Sequence, residues 1–233
     1  MREIVFDTET TGLDSKTDRV IEIGGVELDN RFPTGRTFHV YINPDGQQIH
    51  PDAQAVHGIS LDDLADKPVF AGIADEFLDF FDGAKFVAHN AGFDMGFINV
   101  ELSRIGQPAI DPGRVVDTLA LARRKHPMGP NSLDALCKRY GIDNSHRTLH
   151  GALLDAELLA EVYIEMIGGK QAALGLEVKS VTEAHGRTLG GDVERPLSRP
   201  APLPSRLTED EIAAHKSLVE QLGEDAIWKK VAG

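Results

Sequence analysis

Ile4, Val5 and Phe6 run directly into Asp7 and Glu9, after which Thr10, Thr11 and Gly12 mark a turn. Three apolar, mostly strand-favouring residues at the head of a chain read as a short buried strand. Residues two apart on an extended backbone point to the same side, so both carboxylates are delivered to one place as the strand ends. Two carboxylates so close repel, and one stays protonated unless a cation sits between them. Oxygen donors on a strand end suit Mg²⁺ or Mn²⁺ better than zinc, which favours nitrogen and sulfur. Alone, such a pair is more simply explained as two solvated acids. The rest of the chain has to decide.

Val20 to Leu28 reads as a second strand with Gly24 and Gly25 in its middle, a pattern of bulges and close backbone approach. Phe38 to Ile42 is a third, so the N-terminus forms an antiparallel meander. A long connection containing Val56-His57-Gly58-Ile59 follows. Phe70, Ile73, Phe77, Leu78 and Phe81 then recur at helical spacing. Lys85 to Ala88 is a short strand entering His89-Asn90-Ala91-Gly92-Phe93-Asp94, which opens a helix with Phe97, Ile98 and Leu102. Val115 to Asp117 is another strand, followed by a helix through Ala122. Ser132 caps a helix through Tyr140 that Gly141 stops, and a last helix runs from Ala152 to Met166. Strands in series, then strands alternating with helices, indicate an α/β domain with a mixed central sheet flanked by helices.

Composition shifts after Gly169. Residues 190–205 carry adjacent glycines and Pro196, Pro200, Pro202 and Pro204, an extended linker. Thr208-Glu209-Asp210-Glu211 fits a capping box, with Ile212, Leu218, Val219 and Leu222 on one helical face beyond it. The division is therefore a domain over 1–170, a linker over 171–206 and a flexible C-terminal tail over 207–233. That tail is too short to bury a core of its own, so its apolar residues need a partner. A net charge of −13 excludes a broad basic face for gripping nucleic acid, though not an enzyme handed a strand end by another protein. The single cysteine, Cys137, reads as a core residue, and no membrane or export segment is evident, as expected of a cytoplasmic protein.

Two further acids change the weight of Asp7 and Glu9. Asp94 lies in the first turn of its helix, where the dipole favours a carboxylate, and near a strand end. Asp155 falls in line with Leu158, Leu159, Val162 and Met166, so it points inward with the apolar face. A buried carboxylate is costly unless paired or metal-bound. No lysine or arginine occurs between His150 and Ile167, so the partner has to come from elsewhere, and a divalent ion fits. His150 and Asp155 would be about 140° apart on one helix. Gly151 lets His150 stand outside the helix and reach over the site as a general base. His39, His50, His126 and His146 read as surface residues. Four acids on three elements plus a histidine meet the needs of two-metal phosphodiester hydrolysis, with ions roughly 3.5–4 Å apart.

Three stretches in this order, IVFDTETTG, HNAGFDMGF and HGALLDAELLAEVY, resemble the exonuclease motifs of the DEDDh family of 3′→5′ exonucleases. Within it, PNSLDALCKRYGIDNSHRTLHGALLDAELLAEVY resembles the proofreading subunits of bacterial replicative DNA polymerases. The resemblance covers roughly residues 1–170 and implies a ribonuclease-H-like fold. It further implies metal ligation by Asp7, Glu9, Asp94 and Asp155, with His150 as base and Leu13, Val56, His57, Asn90 and Phe93 against the terminal nucleotide. Asp117 would stand behind the site rather than ligate. A DNA 3′ end, single-stranded, is the implied substrate. Gln171 to Leu176 resembles a sliding-clamp-binding peptide, and the tail from Leu207, with Trp228, corresponds to a segment that docks on the polymerase subunit. A free-standing RNA-trimming exonuclease and a catalytically silent clamp–polymerase bridge are the alternatives. The tether argues against the first and the complete set of acids against the second.

Overall fold

The computed structural model describes residues 1–168 and 208–222 of the 233-residue chain. The chain divides into two units, Met1–Glu177 and Val178–Gly233. In the first, β1 (Arg2–Thr10), β2 (Val20–Asp29) and β3 (Phe32–Tyr41) form the expected antiparallel meander. β4 (Lys85–Ala88) and β5 (Val115–Asp117) add parallel strands on the other side of β1. The order is β3-β2-β1-β4-β5, so β1 lies at the centre of a mixed five-stranded sheet, the ribonuclease-H-like arrangement.

Alternation along β1 divides the core. Ile4 and Phe6 face α3 (Phe70–Phe81) and α4 (Gly92–Arg104), packing with Phe77, Phe81, Phe86 and Phe97. Phe81 and Phe86 stack with centroids 4.7 Å apart, and Phe6 meets both edge-on. Val5 faces the other layer, where α7 (Ala152–Met166) contributes Ala156, Leu159 and Tyr163. Behind α7 lie α5 (Thr118–Lys125) and α6 (Leu133–Tyr140), with Cys137 fully buried between them as expected. Ser132 caps α6 through the Ala135 N–H, and Gly141 ends it in the left-handed region.

The helix α7 is held to the sheet at both ends. Glu22 on β2 accepts from the Ala152 N–H at 3.2 Å, and Tyr163 donates to the buried Glu3 on β1 at 2.8 Å. Gly24 permits the contact, since a Cβ there would lie about 2.1 Å from the Leu153 nitrogen. The long connection before α3 is not plain loop. It carries α1 (Pro51–His57) and α2 (Leu61–Leu64), the second closed by a Ser60–Asp63 capping box. Strand β3 also begins at Phe32, ahead of the expected Phe38.

In the second unit, α8 (Glu209–Gln221) starts at the expected capping box between Thr208 and Glu211. Its apolar side chains Ile212, Leu218 and Leu222 are exposed. The peptide Gln171–Leu176, the proline-rich stretch 190–205, both boundaries of the linker and Trp228 lie outside the described residues. No described helix is long and apolar enough to cross a membrane.

Candidate active site

Because Val5 faces α7, alternation carries Asp7 and Glu9 to the same side, while Thr8 turns toward α4. Thr8 Oγ1 donates to Asp94 Oδ1 at 2.8 Å, fixing the carboxylate that α4 delivers in its first turn. Asp155 comes from the first turn of α7 and is buried, as its place among the apolar residues requires. Gly151 is extended at the N-cap of α7, so His150 stands outside the helix, and its N–H donates to Val56 O at 3.1 Å. Ligand atoms of Glu9, His150 and Asp155 lie within 4.8 Å of one another. Asp7 and Asp94 line the same cavity, of about 760 Å³, outside that trio.

The charges are crowded. Burial raises the Asp7 carboxyl well above its ordinary range, reinforced by the charges of Asp94, Glu9 and Asp155. Burial also raises Glu9 from 4.5 to about 8, with Glu22, Asp155 and Asp94 adding to it. Asp94 rises to about 7 through burial, against the pull of the Thr8 hydroxyl. Such a set needs a positive partner.

One is built in, and the sequence reading missed it. Arg147 donates from Nε to Asp155 Oδ1 at 2.5 Å and from Nη2 to Oδ2 at 2.7 Å. Its Nη1 reaches Asp134 Oδ1 at 3.0 Å, and Nη2 lies 2.9 Å from His150 Nδ1. The cation that Asp155 requires thus comes from eight residues upstream, in the segment between α6 and α7. A signal was present: Arg147 stands three residues before His150, and a buried acid needs a counter-charge.

The five residues expected against a terminal nucleotide also line the cavity. Leu13 and Val56 are 86% and 45% exposed, apolar surface held at its mouth. Phe93 packs on Phe97 with centroids 5.0 Å apart and keeps part of its ring open. His57 is buried at the end of α1, and its Nδ1 accepts from the Ile59 N–H, which leaves Nε2 as the donor of a neutral ring. Asn90 sits at φ 63°, a left-handed position that an amide residue tolerates. Asp117 accepts from the Asn90 N–H at 3.1 Å and caps α5, behind the site as expected. His50, exposed as its reading as a surface residue expects, also borders the cavity.

A family model described as exonuclease, RNase_T, matches residues 4–163. A protein of Salmonella typhimurium named DNA polymerase III subunit epsilon is 46% identical, over 98% of this chain and 97% of its own length. Its namesake from Escherichia coli is 45% identical over the same shares. The Rickettsia conorii protein of that name is 50% identical over 77% of this chain and 80% of its own. Among solved structures, exonuclease X in complex with 5′-overhanging duplex DNA superposes with a TM-score of 0.54 at 29% identity, over 71% of this chain and 90% of that one. E. coli exonuclease I in complex with an oligonucleotide reaches a TM-score of 0.61 at 21% identity, over 71% and 40%, a likeness of fold.

Proposed function

The chain belongs to the RNase T-type exonuclease family, and we propose that it is the 3′→5′ proofreading nuclease of a bacterial replicative DNA polymerase, hydrolysing the terminal phosphodiester of a frayed strand. The observation that carries this reading is the meeting of Glu9, His150 and Asp155 within 4.8 Å, from β1, the pre-α7 turn and α7, on the wall of the cavity.

The donor set fits a hard divalent cation. Its acids offer carboxylate oxygen alone, and Asp7 and Glu9 are raised by burial and by the charges of neighbouring acids, and Asp94 by burial, all of which added positive charge would relieve. Asp7, Glu9, Asp94 and Asp155 would hold Mg²⁺ or Mn²⁺. When bound, a pair of such ions lowers the pKa of the attacking water and steadies the leaving oxygen.

The chain's own groups do the rest. Leu13, Val56 and Phe93 offer apolar surface to a base and sugar without reading sequence, which suits an enzyme that removes any nucleotide. His57 and Asn90 provide polar groups within the same cavity. His150, outside the helix and open to solvent, takes the proton of the attacking water at a ring nitrogen and passes it on. Supply of the DNA end falls to the assembly, because a chain of net charge −13 has little general affinity for the duplex.

The tail docks on the polymerase subunit, in keeping with the names of the relatives and with the exposed apolar side chains of α8. Gln171–Leu176 binds the sliding clamp. Tethering raises local concentration without a large interface. The test is degradation of 5′-labelled single-stranded DNA by the full chain with Mg²⁺. A ladder shortening from the 3′ end, abolished by chelator, is expected; intact DNA with faster loss of RNA would favour the trimming enzyme, and no hydrolysis of either would leave the bridging role.

A further inference from the structure

Both oxygens of Asp155 are taken by the two-pronged contact of Arg147, at 2.5 and 2.7 Å. The Asp155 and Arg147 side chains are 4% and 8% exposed, so the pair is shielded from water. A cation that ligates Asp155 must use one or both of those oxygens. It would then lie close to a guanidinium of like charge in a poorly screened setting, where repulsion is strong. The two positive groups compete for the one carboxylate.

Resting on the reading of Asp155 as a metal ligand, we propose that Arg147 is a resident counter-cation of the site, which neutralises Asp155 in the metal-free chain and yields it when a divalent ion binds. The structure provides for the exchange. Asp134 holds Nη1 at 3.0 Å, is itself 59% exposed, and is braced by Asn144 at 2.8 Å. It remains as an anchor about which the guanidinium turns. Arg147 lies between α6 and α7, so its movement unwinds no helix. Because Nη2 also lies beside the His150 ring, the same displacement frees the base. Metal loading and release of His150 are then a single event, and the metal-free chain keeps its buried acid neutralised while it waits.

The test is Mn²⁺ binding to the full chain without DNA, followed by electron paramagnetic resonance, for wild type, Arg147→Gln and Arg147→Lys. Removing the competitor is expected to tighten Mn²⁺ binding about tenfold in Arg147→Gln, with Arg147→Lys between, since lysine keeps the charge but cannot engage both oxygens. Equal or weaker binding in Arg147→Gln would overturn the proposal and make Arg147 a mere brace for Asp155. A wild-type chain that binds no Mn²⁺ would instead overturn the metal site itself, and the exchange with it. Should Arg147→Gln fail to fold, the Arg147 Nε–H resonance of the wild-type chain decides. It is expected to shift on saturation with Mg²⁺, and an unmoved resonance overturns the exchange.

Discussion

Glu22 and Ala152 are 130 residues apart in the chain, yet a Glu22 carboxylate oxygen caps the first N–H of α7 at 3.2 Å. Two residues further along β2, Gly24 presents bare backbone to the same turn of helix. Together they set how close α7 comes to the sheet, and hence where Asp155 and His150 stand over the acids of β1. Gly24→Ala places a methyl on the Leu153 backbone, so stability should fall by roughly 1–3 kcal/mol or more. Turnover should fall with it. Urea denaturation and hydrolysis rate measured on one preparation check this, and a variant normal in both would separate α7 placement from the site.

The pH dependence of the metal-free chain follows from the crowded acids. Glu9 and Asp94 have folded pKa values of about 8 and about 7, above their ordinary 4.5 and 3.8. Raised folded values mean that the stability they contribute is complete below the ordinary values and is lost as pH rises through the folded ones. In chelator, Tm should therefore fall between about pH 5 and pH 8. Glu9→Gln, which removes one charge, should raise Tm at pH 8 in chelator while costing activity. Equal Tm for wild type and Glu9→Gln at pH 8 would count against the repulsion.

Asp155→Asn should reduce hydrolysis to background, because it removes a proposed metal ligand and the carboxylate that Arg147 grips with both prongs. Replacing His150 by alanine leaves the acids in place. The expected loss is about 10²–10⁴-fold in kcat, the usual share of a positioned acid–base group, with little change in Mn²⁺ affinity. Near-normal kcat in the histidine variant would remove it as the base.

Asn90 separates backbone from side-chain contribution. Asn90→Ala keeps a Cβ at φ 63° and should cost about 1–2 kcal/mol of stability, with a raised KM for DNA. Asn90→Gly should restore the stability and leave KM raised. Recovery of both by glycine would mean that the amide plays no part in binding.

The parts of the fold that were legible in the sequence are those with strong periodicity. Helix α7 runs from Ala152 to Met166 and β4 from Lys85 to Ala88, each as read, because apolar spacing and flanking glycines leave little choice. The inward turn of Asp155 followed from the same spacing. Helices α1 and α2 were not legible: seven and four residues carry too little period. Long-range contacts such as His150 N–H to Val56 O hold α1 against the site instead. The outer half of β3 was missed because Phe32 to Thr37 is exposed and shows no alternation. Arg147 escaped for a related reason, since a residue on an irregular turn has no face to be read from.

Diffraction from crystals of the full chain soaked with Mn²⁺ and a nucleoside 5′-monophosphate, collected at the manganese edge, tests directly whether the scattered acids hold metal together. Anomalous peaks are expected among the carboxylates of Asp7, Glu9, Asp94 and Asp155, with the phosphate against them. Well-ordered nucleotide in the cavity with no manganese peak among those four side chains would contradict the assignment.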